Sequence, residues 1–219
     1  ITAAADQTQT ADTGVCEAAV TVASPITADN CGVSTVVNDY NNTSDASDTY
    51  PVGTTSVVWT VTDNSGNSST ATQNITVTDD ENPSITAATD QTQTADADNC
   101  TAVVVVVGPS TADNCGVSTV VNDYNNTSDA SDTYDVGTTT VTWTVTDIHG
   151  NSSTDTQDIT ITDDENPTIT AAADQTQTAD AGNCTAVVVV VGPVTADNCA
   201  VAEVLNDYNG TSDASDTYD

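Results

Sequence analysis

The sequence predicts an all-β protein composed of tandem β-sandwich domains, and three observations carry this prediction. One phrase recurs along the 219-residue chain at a constant spacing. Within each repeat, apolar and polar residues alternate over short segments that are bounded by Gly, Asn and Asp, as in β-strands and their turns. No segment shows the 3.6-residue period of an amphipathic helix.

The repeat is defined by Ile1, Ile85 and Ile169, which open the phrases ITAAADQTQTAD, ITAATDQTQTAD and ITAAADQTQTAD. The offset from position 1 to position 85 equals the offset from 85 to 169, and no insertion interrupts it. A period of this length suits a whole small domain rather than the unit of a continuous solenoid. The predicted domains, arranged as beads on a string, are residues 1–84, 85–168 and 169–219.

The third repeat is partial in this sequence. It stops at Asp219, which corresponds to Asp135 of the second repeat, so it lacks the counterpart of residues 136–164. That segment holds two predicted strands, and a sandwich without them would expose its core and open edges. We expect the array to continue beyond this chain, or a neighbouring molecule to supply the strands.

The clearest strands lie in the second repeat. Residues 138–146, TTTVTWTVT, alternate and place Val141, Trp143 and Val145 on one face, as in a half-buried antiparallel strand. A turn-rich pentapeptide follows, and then a second strand that ends at residues 158–162 and completes a hairpin.

Further strands are predicted upstream of this hairpin. Residues 101–107 are nearly all valine, so alternation cannot assign their faces; a central core strand is favoured over a surface that packs on a neighbouring chain. Residues 115–121 form another strand, and residues 125–133 form a long loop or short edge strands. Several short strands within one repeat of this length indicate an immunoglobulin-like sandwich.

Four motifs recur in order: Cys100, the run ADNCG at residues 112–116, VGTT at residues 136–139, and a Thr-Asp turn with Gly-Asn at residues 146–151. In this combination the chain resembles the hyalin repeat, or HYR, family. The resemblance implies a fold similar to immunoglobulin and fibronectin type III domains, an extracellular location and an association with cell adhesion. The chain lacks a further cysteine pair that many members carry near the last hairpin, and Cys199-Ala200 departs from the Cys-Gly pattern.

The charge of the chain excludes several partners. It has 33 Asp and Glu, no Lys or Arg, and a formal net charge of −33. Nucleic acids and anionic membrane surfaces are excluded, because their recognition relies on basic residues. Cations are the natural counter-species, which suggests a saline, calcium-containing exterior.

Two cysteines recur in each repeat at a constant separation. In a secreted chain this pattern predicts one disulfide inside each repeat, with intermolecular cross-linking as the alternative. A thiolate metal site would need more ligands than two cysteines. The predicted pairs are Cys16 with Cys31, Cys100 with Cys115, and Cys184 with Cys199.

Carboxylates concentrate between the predicted domains, in a linker similar to the acidic linkers of cadherins, which calcium rigidifies. Because Ca²⁺ binds six to eight hard oxygens, we expect a structural calcium site where a linker meets the last hairpin of the next domain. A solvated acidic hinge is the alternative. The candidate ligands are Asp79, Asp80, Glu81, Asn82, Asp113, Asp147, Asn151, Asp163, Asp164 and Glu165.

These features predict a structural segment of a long secreted surface fibre or filament, whose partners are neighbouring copies of the repeat. The alternative is an adhesin stalk or a multivalent module that binds glycans or cells, in which Trp59 and Trp143 could stack on sugars. Alternation sends both tryptophans inward, which favours the core. No catalytic site is expected, because every acidic cluster recurs with the repeat.

Overall fold

A computed structural model describes residues 1–219 and confirms the all-β prediction. It contains eighteen strands, and no element is a helix that is long and apolar enough to cross a membrane. The strands in chain order are β1 Gln7–Thr10, β2 Glu17–Val20, β3 Val33–Asn38, β4 Asp48–Pro51, β5 Gly53–Asp63, β6 Ser68–Thr78, β7 Ser84–Thr86, β8 Gln91–Thr94, β9 Thr101–Val104, β10 Ser110–Ala112, β11 Val117–Asn122, β12 Asp132–Asp135, β13 Gly137–Asp147, β14 Ser152–Thr162, β15 Thr168–Thr170, β16 Ala186–Val188, β17 Val194–Ala196 and β18 Asp216–Tyr218.

The chain divides into two compact units. The first comprises Ile1–Ala88, Gly108–Ser128 and Thr142–Thr156, and the second comprises Thr89–Val107, Asp129–Val141 and Gln157–Asp219. The first unit therefore contains the whole first repeat together with one end of the second repeat. The second unit contains the remainder of the second repeat and the third.

The first repeat folds as a two-layer sandwich within the first unit. One layer has the order β1-β6-β5-β3, in which β1 runs parallel to β6 and the other pairs are antiparallel. The second layer is the antiparallel pair of β2 and β4. Because β1 runs parallel to the last strand of the repeat, the loop after β1 lies at the end of the sandwich from which the linker departs.

The core between these layers is built around Trp59 and Tyr50, neither of which is exposed. Buried polar atoms are paired: Trp59 Nε1 donates to Gln73 Oε1 at 3.3 Å, and the Tyr50 hydroxyl donates to the Ala46 carbonyl at 2.6 Å. The predicted inward orientation of the alternating apolar residues is therefore confirmed. The same pattern of strand alternation recurs in the second repeat, where Trp143 is also 0% exposed.

The second unit uses the same strand pairs. β8 runs parallel to β14, and β9 pairs with β12. Its buried side chains include Tyr134, Val141, Ile159 and Ile161. The two isoleucines face inward, as their alternation along the second hairpin strand predicts.

The valine run does not form a central strand buried on both faces. Val104 and Val106 are 2% and 7% exposed, whereas Val103, Val105 and Val107 are 63%, 77% and 61% exposed. The strand pairs with β12 on one edge only.

Glutamine side chains satisfy the other edge. Gln93 Nε2 donates to the Val103 carbonyl at 3.3 Å, and Gln91 Nε2 donates to the Val105 carbonyl at 3.2 Å. Paired carbonyls of this kind reduce the tendency of a free edge to recruit another strand.

The third repeat contributes two strand pairs, β15 with β17 and β16 with β18. Its apolar residues Val188, Val190 and Tyr218 line an open cavity of about 1000 Å³. These residues correspond to Val104, Val106 and Tyr134, which are buried in the core of the second repeat.

Disulfides are present, but the predicted pairing within repeats is wrong. The bonds join Cys16 to Cys115 and Cys100 to Cys199, whereas Cys31 and Cys184 are free and exposed. Each bond spans 99 residues, which is one full period of the repeat plus the separation of the two cysteines inside a repeat. It therefore connects the first cysteine of one repeat to the second cysteine of the next.

The geometry of the first repeat explains this correction. The Val52 amide next to the start of β5 donates to the Cys16 carbonyl, whereas Asn64, next to the end of β5, donates its side-chain amide to the Cys31 carbonyl. Strands rise by about 3.3 Å per residue, so the ends of this eleven-residue strand are roughly 35 Å apart. A disulfide requires Cα atoms within about 7 Å, which excludes a bond between Cys16 and Cys31.

Candidate metal centre

Three aspartates from separate parts of the chain converge in the first unit. Asp79 follows β6, Asp113 follows β10, and Asp147 is the last residue of β13. Carboxylate oxygens of the three lie within 4.8 Å of one another. The Asp79 side chain is 0% exposed and Asp147 is 2% exposed. The cluster thus concentrates negative charge at the point where the linker meets the second repeat.

The turn after β13 fixes Asp147. Its Oδ1 accepts the backbone N–H groups of His149 at 2.8 Å, Gly150 at 2.6 Å and Asn151 at 2.9 Å. Its Oδ2 accepts the Asn151 side-chain amide at 2.7 Å. Burial acts to raise the pKa of Asp147, but these donors together hold that pKa below its usual value. The carboxylate therefore carries its full charge at neutral pH.

Asp113 and Asn114 each present a buried oxygen without a hydrogen-bond partner. Asp113 Oδ2 accepts the backbone N–H groups of Cys115 at 2.8 Å and Gly116 at 2.7 Å, but its Oδ1 has no donor. The Asn114 side-chain oxygen is also buried and unpaired. Buried oxygens in proteins normally accept a hydrogen bond or bind a cation or water, so both atoms are available as ligand atoms.

Asp79 is held from several directions. Its Oδ1 accepts the Asn114 side-chain amide at 3.3 Å and the Glu81 amide at 3.2 Å. His149 Nδ1 lies 3.1 Å from its Oδ2, and the His149 side chain is 30% exposed. Because the chain has no Lys or Arg, this histidine is the sole side chain of the protein that could place positive charge here. Three carboxylates therefore lie together without a Lys or Arg beside them, an arrangement that a divalent ion would neutralise.

A second junction, within the second unit, repeats some of these contacts. Asn198 donates its side-chain amide to the Asn99 carbonyl at 2.9 Å and to Asp163 Oδ1 at 3.2 Å, and its side-chain oxygen is buried and unpaired. Asn114 makes the equivalent bonds, to the Val15 carbonyl at 3.1 Å and to Asp79. The Asn-Cys loop thus contacts both the preceding cysteine loop and the preceding linker.

The predicted ligands of the first junction separate into two groups. Asp79, Asp113 and Asp147 come together, and Asn151 donates hydrogen bonds to two of them through its side-chain amide. The other three candidates do not join this cluster: Glu81 accepts the Gly14 amide at 2.7 Å, and Asp80 and Asn82 are exposed.

The predicted ligands of the second junction are all exposed. Asp163 contacts Asn198, Glu165 accepts the Asp98 amide at 3.1 Å, and Asp164 lies on the surface. The equivalent of Asp147 falls in the segment that the third repeat lacks.

Sequence reasoning missed His149 and Asp197 as members of these sites. Asp197 Oδ1 accepts the Cys199 and Ala200 amides at 2.9 and 3.0 Å, as Asp113 does one period earlier. The periodicity of the repeat would have identified it. No sequence signal marks His149, because the equivalent position in the first repeat is Ser65.

Comparison with known proteins assigns a family to most of the chain. The HYR domain matches residues 1–77 and 78–161. Hyalin of Strongylocentrotus purpuratus is 30% identical over 212 residues, which cover 94% of this chain and 17% of that protein. Hyalin of Lytechinus variegatus is 32% identical over 178 residues, which cover 79% of this chain and 32% of that protein. The chain thus spans a third or less of the length of either relative.

Two solved structures illustrate the matches, both at low sequence identity. A protocadherin gamma B7 EC3-6 cis-dimer matches 100% of this chain and 64% of its own at 15% identity, with a TM-score of 0.37. Fibronectin(III)-like modules of Clostridium thermocellum CbhA match 73% of this chain and 90% of their own at 15% identity, with a TM-score of 0.31.

Proposed function

Because the chain belongs to the HYR domain family, we propose that it is a structural segment of a long extracellular fibre whose repeat junctions are stiffened by calcium. The family match and the hyalin relatives support an extracellular, adhesion-related repeat protein. The repeats, 1–84, 85–168 and the partial 169–219, act as its domains, and neighbouring copies are its main partners. No catalytic role is part of this proposal.

The observation that carries the calcium proposal is the cluster of Asp79, Asp113 and Asp147 in a chain without Lys or Arg. Like charges that are this close and buried repel strongly, and the chain has no Lys or Arg to compensate them. Carboxylate and amide oxygens are the ligands that Ca²⁺ prefers. The unpaired oxygens of Asp113 and Asn114 fit the same donor set.

Calcium would supply charge neutralisation and a link between separate elements. Asp79 belongs to the linker, Asp113 to the loop before β11, and Asp147 to the last hairpin of the second repeat. An ion bound to all three would hold the linker against the second repeat. Repetition of such junctions would turn a flexible string of domains into a stiff fibre.

Calcium binding can be tested by calorimetry on the full chain and by its melting temperature. We expect calcium to raise the melting temperature, because a ligand at about 100 times its Kd stabilises the folded state by about 2.7 kcal/mol. Asp113→Asn should weaken calcium affinity by roughly tenfold or more. Asp80→Asn is the matched control: it removes the same charge from an exposed position and should change the affinity by less than about threefold.

Two results would contradict the proposal. One is a wild-type melting temperature that calcium leaves unchanged. The other is an equal loss of affinity in both variants, since a diffuse acidic surface rather than a specific site would then account for binding.

The second candidate, a glycan-binding module, has less support. It was suggested by Trp59 and Trp143, but both side chains are 0% exposed and cannot stack on a sugar. Multivalent adhesion through other surfaces is compatible with a fibre, because repeated domains raise effective concentration.

A further inference from the structure

The Cys16–Cys115 disulfide lies beside the only histidine of the chain. The Cys115 sulfur, a ring nitrogen of His149 and a carboxylate oxygen of Asp79 lie within 4.8 Å of one another. Cys16 is bonded to Cys115, so its sulfur belongs to the same group. The thiolate is the form of cysteine that binds metals, so the disulfide withholds two of the four ligands that converge here.

We propose that this junction binds a zinc ion when the disulfide is reduced, with Cys16, Cys115, His149 and Asp79 as its four ligands. Two thiolates, one imidazole and one carboxylate form a donor set that suits zinc, and four ligands complete its tetrahedral coordination. Calcium instead binds hard oxygens. The inference therefore concerns a second chemical state of the junction, and it does not depend on calcium binding by the oxidised chain.

The spacing of the ligand atoms suits one zinc ion. Around a tetrahedral zinc with its usual bond lengths, neighbouring ligand atoms are about 3.3 to 3.8 Å apart. His149 Nδ1 lies 3.1 Å from Asp79 Oδ2, and the Cys115 sulfur lies within 4.8 Å of a ligand atom of each. Side-chain shifts of about 1.5 Å or less would bring these atoms to the required spacing.

Neighbouring donors orient these ligands. Asp79 Oδ1 accepts the Glu81 amide at 3.2 Å and the Asn114 side-chain amide at 3.3 Å, which leaves Oδ2 beside His149. The Asn114 amide also lies 3.7 Å from the Cys115 sulfur, where it can donate to a thiolate. Outer contacts of this kind fix metal ligands in place, and their loss typically lowers metal affinity roughly 10- to 100-fold.

Contacts other than the disulfide hold the two cysteine loops together. Asn114 donates to the Val15 carbonyl at 3.1 Å, and the Gly14 amide donates to Glu81 Oε2 at 2.7 Å. The Cα atoms of the two bonded cysteines are 4.7 Å apart. Because these hydrogen bonds do not require the sulfur–sulfur bond, both thiols stay close after reduction, and little ordering is needed before an ion binds.

The second disulfide provides an internal comparison. Cys100 and Cys199 form the same kind of bond between repeats, but no histidine lies beside them, because His149 is the only one in the chain. Reduction of that bond exposes two thiols without the imidazole. We therefore expect one zinc ion for each fully reduced chain rather than two.

The chemical steps balance with a low-molecular-weight thiol such as glutathione as the reductant. Two molecules of the thiol are oxidised to one disulfide, and the Cys16–Cys115 bond becomes two protein thiols. Zinc then displaces one proton from each thiol as the two zinc–sulfur bonds form. The ion joins the loop after β1, the linker, the loop before β11 and the last hairpin turn, so it keeps the repeats connected when their covalent bond is broken.

The test uses the full chain with Cys31→Ser and Cys184→Ser, which removes the two exposed free thiols and keeps both disulfides. This parent chain is reduced with a phosphine in the absence of oxygen and titrated with cobalt(II), a spectroscopic substitute for zinc. We expect one cobalt ion per chain, with a thiolate-to-cobalt charge-transfer band that zinc abolishes by displacement. The oxidised parent chain should not give this band.

The variant His149→Ser tests the imidazole ligand. It should weaken zinc affinity by roughly tenfold or more. Serine occupies the equivalent position of the first repeat, where the Ser65 amide donates to Asp63 Oδ1 at 2.7 Å, as the His149 amide donates to Asp147 Oδ1 at 2.8 Å. The turn therefore accepts serine without a change of backbone structure.

The matched control removes the other cysteine pair through Cys100→Ser with Cys199→Ser. It should change zinc affinity by less than about twofold, because neither residue belongs to the proposed site. Fluorescence of the buried Trp59 reports folding in every chain. If the reduced parent chain unfolds without metal, zinc should restore its native signal at a lower concentration than it does for His149→Ser.

Three results would overturn the proposal. They are the absence of a thiolate band in the reduced parent chain, two bound ions per chain, and equal zinc affinity with and without His149. Calcium binding is measured on the oxidised chain, so a failure of the calcium proposal would be seen separately from a failure of the zinc site.

Discussion

Reduction of the two inter-repeat disulfides should lengthen the fully stretched chain about fourfold. With the bonds intact, the shortest covalent path runs from Ile1 to Cys16, crosses to Cys115, returns along the backbone to Cys100, and crosses to Cys199 before it reaches the C-terminus. This path has about 50 residue steps, whereas the backbone has about 218. At roughly 3.5 Å per extended residue, the limits are about 180 Å oxidised and about 760 Å reduced.

Single-molecule force spectroscopy on the full chain, tethered at both termini, measures these lengths directly. The oxidised chain should reach its limit at about 180 Å even when its domains unfold, because the remaining residues lie in loops that carry no load. Addition of a reductant should reveal unfolding steps that extend the limit to about 760 Å.

The measurement discriminates between the two pairings. Bonds inside each repeat would shorten the path only by the short loop between the two cysteines of that repeat, and would leave a limit of about 600 Å. An oxidised chain that extends to about 600 Å would therefore refute the inter-repeat pairing and the load path that follows from it.

Three other predictions follow from the same structure. Every peptide bond between Cys16 and Cys199 lies inside at least one disulfide loop, so a single cut by a glutamyl endopeptidase after Glu17, Glu81 or Glu165 should leave one band on a non-reducing gel and give separate fragments only after reduction. A cut after Glu203 lies outside both loops and removes only a short C-terminal peptide, whereas separation at any of the other three sites without reductant would contradict the pairing. Val104→Ala should lower the free energy of unfolding by about 2 kcal/mol in chemical denaturation, whereas Val103→Ala, at the exposed neighbouring position, should change it by less than about 0.5 kcal/mol. Burial raises the pKa of Tyr50 from 10.0 to about 12. The neutral Tyr50 hydroxyl therefore contributes fully to the free energy of unfolding below pH 10, and this contribution is lost as the pH rises towards 12. Tyr50→Phe should weaken the fall in stability at alkaline pH, and an unchanged fall would refute this account.

Much of the fold was predictable from local pattern. The alternation in residues 138–146 identified a strand and the inward orientation of Trp143, because side chains on a strand point to opposite faces with a period of two. The valine run was harder, since a uniform composition hides which residues face the core. Its true arrangement depends on Gln91 and Gln93, whose amides cover an edge that no local pattern reveals.

The sequence by itself determined the repeat, the strand faces, and the absence of any basic residue that could neutralise the acidic linkers. The sequence also allowed Asp79, Asp113 and Asp147 to be predicted as ligands of one cation site, because the order of strands in a sandwich implies which loops meet. Only the tertiary structure decided the cysteine pairing. Cys16 and Cys31 are close in sequence, but they lie at opposite ends of the long strand β5 and are too far apart to bond. Cys16 bonds instead to Cys115, the second cysteine of the next repeat.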